Sequence, residues 1–124
     1  MIKKIFITSL LFFCISASAV EKKTNFSIET LEKAKASGKT IVINSYEVWC
    51  GTCSKQTKIL DQAEKEFNEI IFLSYEQSKN KDIAKKLKIK HWTTIVVYKG
   101  DNEISRIIGQ TDKETIYSAI KKGI

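Results

Sequence analysis

Cys50 and Cys53 are the residues of this sequence with the clearest chemistry. They lie three apart in Trp49-Cys50-Gly51-Thr52-Cys53, between a β-rich segment and one with helical periodicity. A helix N-terminus offers free N–H groups and the positive end of the helix dipole, and both favour a thiolate over a thiol. The pKa of Cys50 is therefore expected to fall below the free value of about 8.5. The spacing brings the two sulfurs within bonding reach. Cys50, at the mouth, is the expected attacking thiolate, and Cys53, one turn inside, the resolving thiol. Gly51 keeps the turn unobstructed. A redox couple competes with two other readings. A structural bridge over two intervening residues closes almost no loop and would add little stability. A zinc site normally takes two further Cys or His ligands, and the remaining supply is Cys14 and one histidine, His91.

The N-terminus bears on the cysteine count. Met1-Ile2-Lys3-Lys4 is basic, Ile5 to Ile15 is almost continuously apolar, and Ser16-Ala17-Ser18-Ala19 is small. This three-part pattern reads as a secretory signal peptide over residues 1–19, cut after Ala19. The apolar run is too short to span a bilayer core of about 30 Å. A lipid-modification site at Cys14 is disfavoured by the bulky Phe13 before it. Taking 19 residues from 124 leaves a domain of 105 residues, 20–124, and losing Lys3 and Lys4 lowers the net charge from +7 to +5. Cys14 leaves too. Export places the remaining pair in an oxidising compartment, periplasmic or secreted. No stable membrane span is expected after cleavage.

The elements that must position the pair follow from pattern. With 43% hydrophobic and 28% charged residues, the chain is neither disordered nor a disulfide-scaffold mini-protein. Zero proline excludes Pro-rich recognition. Ser27 can cap a helix to about Ser37, with Phe26 and Leu31 as a hydrophobic staple and Gly38 as a stop. Thr40 to Tyr46 reads as a buried strand. Thr52 to Asn68 has helical periodicity, with Ile59, Leu60, Ala63 and Phe67 inward. Glu69 to Tyr75 is a second strand, Lys79 to Leu87 a short basic helix, and Thr94 to Tyr98 a third strand. Lys99 to Asn102 is a turn, and Glu103 to Ile108 a fourth strand, antiparallel to the third. Thr111-Asp112-Lys113-Glu114 reads as a capping box for a final helix. The order α-β-α-β-α-β-β-α implies parallel crossovers, a closing hairpin, and an α/β fold with a central mixed four-stranded sheet and helices on both faces.

Ile41 to Lys55, with Trp49-Cys50-Gly51-Thr52-Cys53 at its centre, resembles the strand and active-site turn of the thioredoxin family. Leu87 to Gly100 resembles that family's second landmark segment, and the terminal strand, Gly109 and helix fit as well. The resemblance runs from about Phe26 to the end. It implies a thioredoxin-like fold and thiol–disulfide exchange with protein substrates, supported by a redox partner protein, with no bound cofactor.

Three positions depart from the family pattern. Thr52 stands where thioredoxin has proline; its hydroxyl and N–H near the sulfurs are expected to make Cys50 more acidic and the pair more oxidising. Asn44 stands where thioredoxins carry a buried aspartate thought to help deprotonate the resolving thiol. Asn44 hydrogen-bonds but does not titrate near neutral pH; Glu47 or Lys55 are candidate substitutes. Thr93 stands where the family has its cis-proline, whose flanking backbone pairs with substrate. A cis bond before threonine costs about 2.5–4 kcal/mol. We expect a cis Trp92–Thr93 bond, with a trans, remodelled loop as the alternative. Thr93 also relaxes a shield against metal, which gives Cys50, Cys53 and His91 as an alternative ligand set, in one chain or across a dimer. Trp49 and Trp92 are expected to form an apolar lip for an extended substrate, and Tyr46 to support the turn.

The densest positive charge runs from Lys79 to Lys90 and reads first as a solvated face. Nucleic acid is not an expected partner, because recognisable aromatic interleaving is missing. The leading function is an exported thiol–disulfide oxidoreductase working in the reducing or isomerising direction. The alternative is a thioredoxin-like metal-binding or protein-binding module whose cysteines carry metal.

Overall fold

A computed structural model describes residues 26–124. The predicted signal segment, residues 1–19, lies outside the described residues. The elements are α1 (Ile28–Ala36), β1 (Thr40–Tyr46), α2 (Gly51–Glu66), β2 (Ile71–Glu76), α3 (Lys81–Lys86), β3 (Thr94–Lys99), β4 (Asn102–Ile108) and α4 (Lys113–Lys121). Every predicted element forms, with ends shifted by one or two residues. Among the described residues, no helix is long and apolar enough to cross a membrane.

Caps set the helix starts. Ser27 accepts the Thr30 N–H at 3.1 Å, and Phe26 and Leu31 are both buried, as a staple requires. At α4 the capping residue is Asp112 rather than Thr111. Its carboxylate accepts the Thr115 N–H at 2.9 Å, and hydrogen bonding to the Thr115 hydroxyl first and to this N–H second holds the Asp112 carboxyl below its ordinary pKa. A carboxylate at a helix N-terminus also gains from the dipole, which an extra threonine hydroxyl does not.

The four strands make one sheet in the order β2-β1-β3-β4. β1 and β2 are parallel, with Asn44 opposite Ser74, and β3 and β4 are an antiparallel hairpin. β3 runs antiparallel to β1, which corrects the expectation of parallel crossovers throughout. The reason is length. The six residues of α3 rise about 9 Å. A six-residue strand such as β2 spans about 20 Å. Helix α3 cannot carry the chain back along the sheet, so β3 starts at the edge where β2 ends. The same shortness delivers Trp92 and Thr93 to the end of β1 that leads into Cys50.

Alternation along the strands divides the core. Ile41, Ile43, Val96 and Tyr98 pack with Leu31, Ile83 and Leu87 on the α1/α3 face. Val42, Ile95 and Val97 pack with Leu60, Ala63, Ile116 and Ile120 on the α2/α4 face. By the same alternation Ser45 belongs to the first face and Asn44 to the second.

Candidate active site

Strand β1 ends at Tyr46, and the chain turns through Glu47, Val48 and Trp49 into α2. The turn closes with the Cys50 N–H donating to the Glu47 carbonyl at 3.2 Å. Cys50 is the N-cap of α2, and its sulfur takes the capping role that serine or aspartate usually fills. The Cys53 N–H donates to Cys50 Sγ at 3.1 Å. Cys50 and Cys53 are joined as a disulfide with 5.2 Å between their Cα atoms, inside the usual range for such a bridge. Cys50 is 9% exposed and Cys53 is 2% exposed. The outer sulfur therefore sits on the helix amide, and the inner one is shut in.

The residues between them take unequal parts. Gly51 is exposed, and a Cβ built there meets nothing within 4 Å. The fold itself does not demand glycine; its lack of a side chain leaves the approach to Cys50 open. Thr52 is half-buried on the first turn. The N–H that reaches the sulfur belongs to Cys53, not to Thr52.

Trp49 and Trp92 meet as a T-shaped pair, with ring centroids 5.1 Å apart and planes at 73°. They are 68% and 39% exposed, and Val48 beside Trp49 is exposed as well. Grouped beside the disulfide, these exposed apolar side chains make this rim the candidate contact surface. The disulfide also borders an open recess of about 380 Å³ lined by Tyr46, Glu47, Val48 and Ser54. Burial first, then the Glu76 carboxylate, raises the Tyr46 phenol above its ordinary pKa, so it stays protonated.

Thr93 corrects a second expectation. None of the described peptide bonds is cis, and Thr93 instead has φ +71°. Left-handed backbone is uncommon for a β-branched residue and needs outside support. Several bonds supply it. The Thr93 N–H donates to the Ser45 carbonyl at 2.9 Å, and its carbonyl accepts from the Gly109 N–H and from Gln56 Nε2, each at 3.0 Å. One residue upstream of Trp92, the His91 carbonyl accepts from Ser45 Oγ at 3.0 Å and from Thr94 Oγ1 at 2.6 Å. Both backbone groups of Thr93 are thus spent within the fold. The Trp92–Thr93 backbone, which stands where the resemblance places substrate pairing, therefore has no free N–H at Thr93.

The alternative ligand set of Cys50, Cys53 and His91 is not brought together in this structure. Among the described residues no three His, Cys, Asp or Glu side chains gather where they could hold an ion. The cysteines are bonded to each other, and His91 is exposed and contributes its backbone carbonyl to the loop. Glu47 lines the recess beside the disulfide, but its carboxylate is bonded to another segment. Its carboxylate accepts from the Ser78 N–H at 2.6 Å and from Ser78 Oγ at 3.0 Å. Lys55 is exposed.

Asn44 is buried and accepts a hydrogen bond from Ser74 Oγ. It lines a small recess with Thr57, Asp61 and Glu64 of α2. Placing a carboxylate here has a definite sign. Burial and the acidic neighbours raise the pKa of an Asn44→Asp side chain above the unfolded value of about 3.9. Relative to the wild type, the variant is then most stable below that value and loses stability as pH rises through the folded pKa. Its disulfide-reduction rate is expected to gain a titration step above the ordinary carboxylate range and to rise about ten-fold, less than the 10²–10⁴ of a directly placed base. An unchanged rate–pH profile would remove Asn44 as a determinant of rate.

Gln56 and Ser45 are site residues that the sequence reading missed. The missed signal is positional: Gln56 falls on the inward stripe of α2 with Leu60 and Ala63, and Ser45 continues the inward alternation of Ile41 and Ile43.

Comparison with known proteins agrees with this geometry. The Thioredoxin family model matches residues 17–122. A thioredoxin H-type of Fagopyrum esculentum is 33% identical over 89 residues, covering 72% of this chain and 77% of that protein. Thioredoxin-2 of Saccharomyces cerevisiae is 26% identical over 99 residues, covering 79% of this chain and 90% of its own. Among solved structures, the thioredoxin of Fasciola hepatica superposes with a TM-score of 0.71 at 24% identity, covering 77% of this chain and 93% of that one. The chain belongs to the thioredoxin family of thiol–disulfide oxidoreductases.

Proposed function

We propose that the protein is an exported thioredoxin-like oxidoreductase that reduces or isomerises disulfides of other proteins. The observation that carries this reading is Cys50, an N-cap sulfur on a helix amide, disulfide-bonded to the more buried Cys53. In the reduced protein the Cys50 thiolate attacks one sulfur of a substrate disulfide. A Cys50–substrate bond forms, the substrate S–S bond breaks, and the other substrate sulfur leaves as a thiolate that takes a proton. Cys53, as thiolate, then attacks the Cys50 sulfur and releases the second substrate thiolate, which is protonated in turn. The substrate gains two electrons and two protons, and the Cys50–Cys53 disulfide is restored. A dithiol on a redox partner protein must reduce it again. Trp49, Trp92 and Val48 hold the substrate against Cys50 by apolar contact, and Gly51 leaves room for its chain.

The basic, apolar and small-residue pattern of residues 1–19 supports the export reading, and with it a periplasmic or secreted location. The reducing or isomerising direction is supported by the element order of residues 26–124, which adds no helical insertion to the sheet and its helices.

The reduction potential of the Cys50/Cys53 pair tests the direction. A value near thioredoxin's, about −270 mV, or modestly above it is expected, together with reduction of insulin disulfides. A value near about −120 mV, with no insulin reduction, would make the protein an oxidant and overturn the direction. Export is tested by the mass of protein recovered outside the cytoplasm, which should lack residues 1–19.

A further inference from the structure

Gln56 is a polar side chain in a place built for an apolar one. It is fully buried on α2, three residues after Cys53. Nε2 donates to two carbonyls from different segments, Thr93 at 3.0 Å and Gln110 at 2.9 Å. Its Oε1 is buried and has no hydrogen-bond partner among the described residues. An unsatisfied buried acceptor is a net loss of stability, and an apolar residue of the same shape would remove it. Neither of the carbonyls it serves depends on it alone. Thr93 O also accepts from Gly109 N–H, and Gln110 is an exposed residue. Stability does not explain the residue.

Its connections do. Gln56 belongs to the helix that carries Cys53, and Thr93 follows Trp92 in the loop. Trp92 packs on Trp49, which precedes Cys50. One carboxamide therefore links the cysteine helix to the segment that presents the tryptophan. We propose that Gln56 is a positioning residue that sets Trp92 against Trp49 and Cys50, and thereby governs selectivity for protein disulfides over small ones. This rests on the oxidoreductase reading with protein substrates given above. A small disulfide needs only the outer sulfur, whereas a protein disulfide also needs the tryptophan pair in register.

Gln56→Met keeps length and volume and removes both donors and the orphaned acceptor. The test measures kcat and KM of wild type and variant for insulin and for a small aromatic disulfide, with melting temperature and the far-ultraviolet exciton signal of the tryptophan pair. The expected result is a melting temperature at or above wild type and a weakened exciton signal. KM for insulin should rise, and the insulin-to-small-disulfide ratio of kcat/KM should fall about ten-fold. A ratio within two-fold of wild type overturns the proposal. So does loss of folding in both Gln56→Met and Gln56→Leu, since the carboxamide would then be structural. A wild type inactive on both disulfides would instead sink the functional reading, and the exciton signal alone would still decide whether Gln56 places the tryptophans.

Discussion

Thr93→Pro is expected to lower the melting temperature by about 10–25 °C, although it installs the residue that thioredoxins carry at this position. Proline fixes φ near −65°, whereas the loop holds φ +71° at Thr93. Proline also has no N–H, so the 2.9 Å bond to the Ser45 carbonyl disappears. Losing that bond, with the carbonyl left inside the fold, costs about 1–3 kcal/mol. Forcing the loop out of its form adds about 1–3 kcal/mol of strain. We take about 2–4 kcal/mol in all, and each kcal/mol moves the melting temperature of a domain of this size by about 4–8 °C. Insulin reduction should fall with it, because Trp92 is displaced from Trp49. Thermal melts followed by circular dichroism check the first part. A variant as stable and as active as the wild type would mean that the Ser45 tie is not what fixes this loop.

Cys53→Ala is expected to convert the protein from a catalyst into a covalent trap. Attack by Cys50 on a protein disulfide still proceeds, but no internal thiol remains to release the product. The mixed disulfide accumulates, and turnover falls by a factor on the order of 10³ or more. Cys50→Ala should lose turnover equally and form no adduct, because Cys53 is nearly sealed from substrate and lacks the capping amide. Mass spectrometry of each variant after incubation with a disulfide-containing protein reads the difference. Adducts on the Cys50→Ala variant and none on Cys53→Ala would reverse the two roles.

Much of this architecture was legible in the sequence because it is encoded locally. The strand Thr40–Tyr46, the staple of Phe26 and Leu31, and the placement of the Cys pair between strand and helix depend on neighbours a few residues away. What escaped depends on distant partners. The direction of β3 turns on the reach of α3. The form of Thr93 is decided by Ser45, Gln56 and Gly109, which precede it by 48 and 37 residues and follow it by 16. A threonine in a proline position suggests a change of loop, but not which groups will hold the new one. Asn44 was identified as a departure, yet its bond to Ser74 appears only once β1 and β2 are set in register. Gln56 sat in plain view as a glutamine on a charged helix, where polarity reads as exposure unless the inward stripe is counted.

With substrate docked as proposed on the exposed rim of Val48, Trp49 and Trp92, the response of recognition to heat and salt is also fixed. With Thr93 already bonded on both sides, a docked chain finds little main-chain pairing here and mostly apolar surface. Covering such surface gives a negative heat-capacity change on association. Enthalpy and entropy of docking must therefore trade places as temperature changes, while affinity stays comparatively flat. An apolar rim carries little ionic-strength dependence of its own. Substrates should thus be selected by how readily they expose a greasy segment beside a disulfide, which is a property of incompletely folded chains more than of any particular sequence.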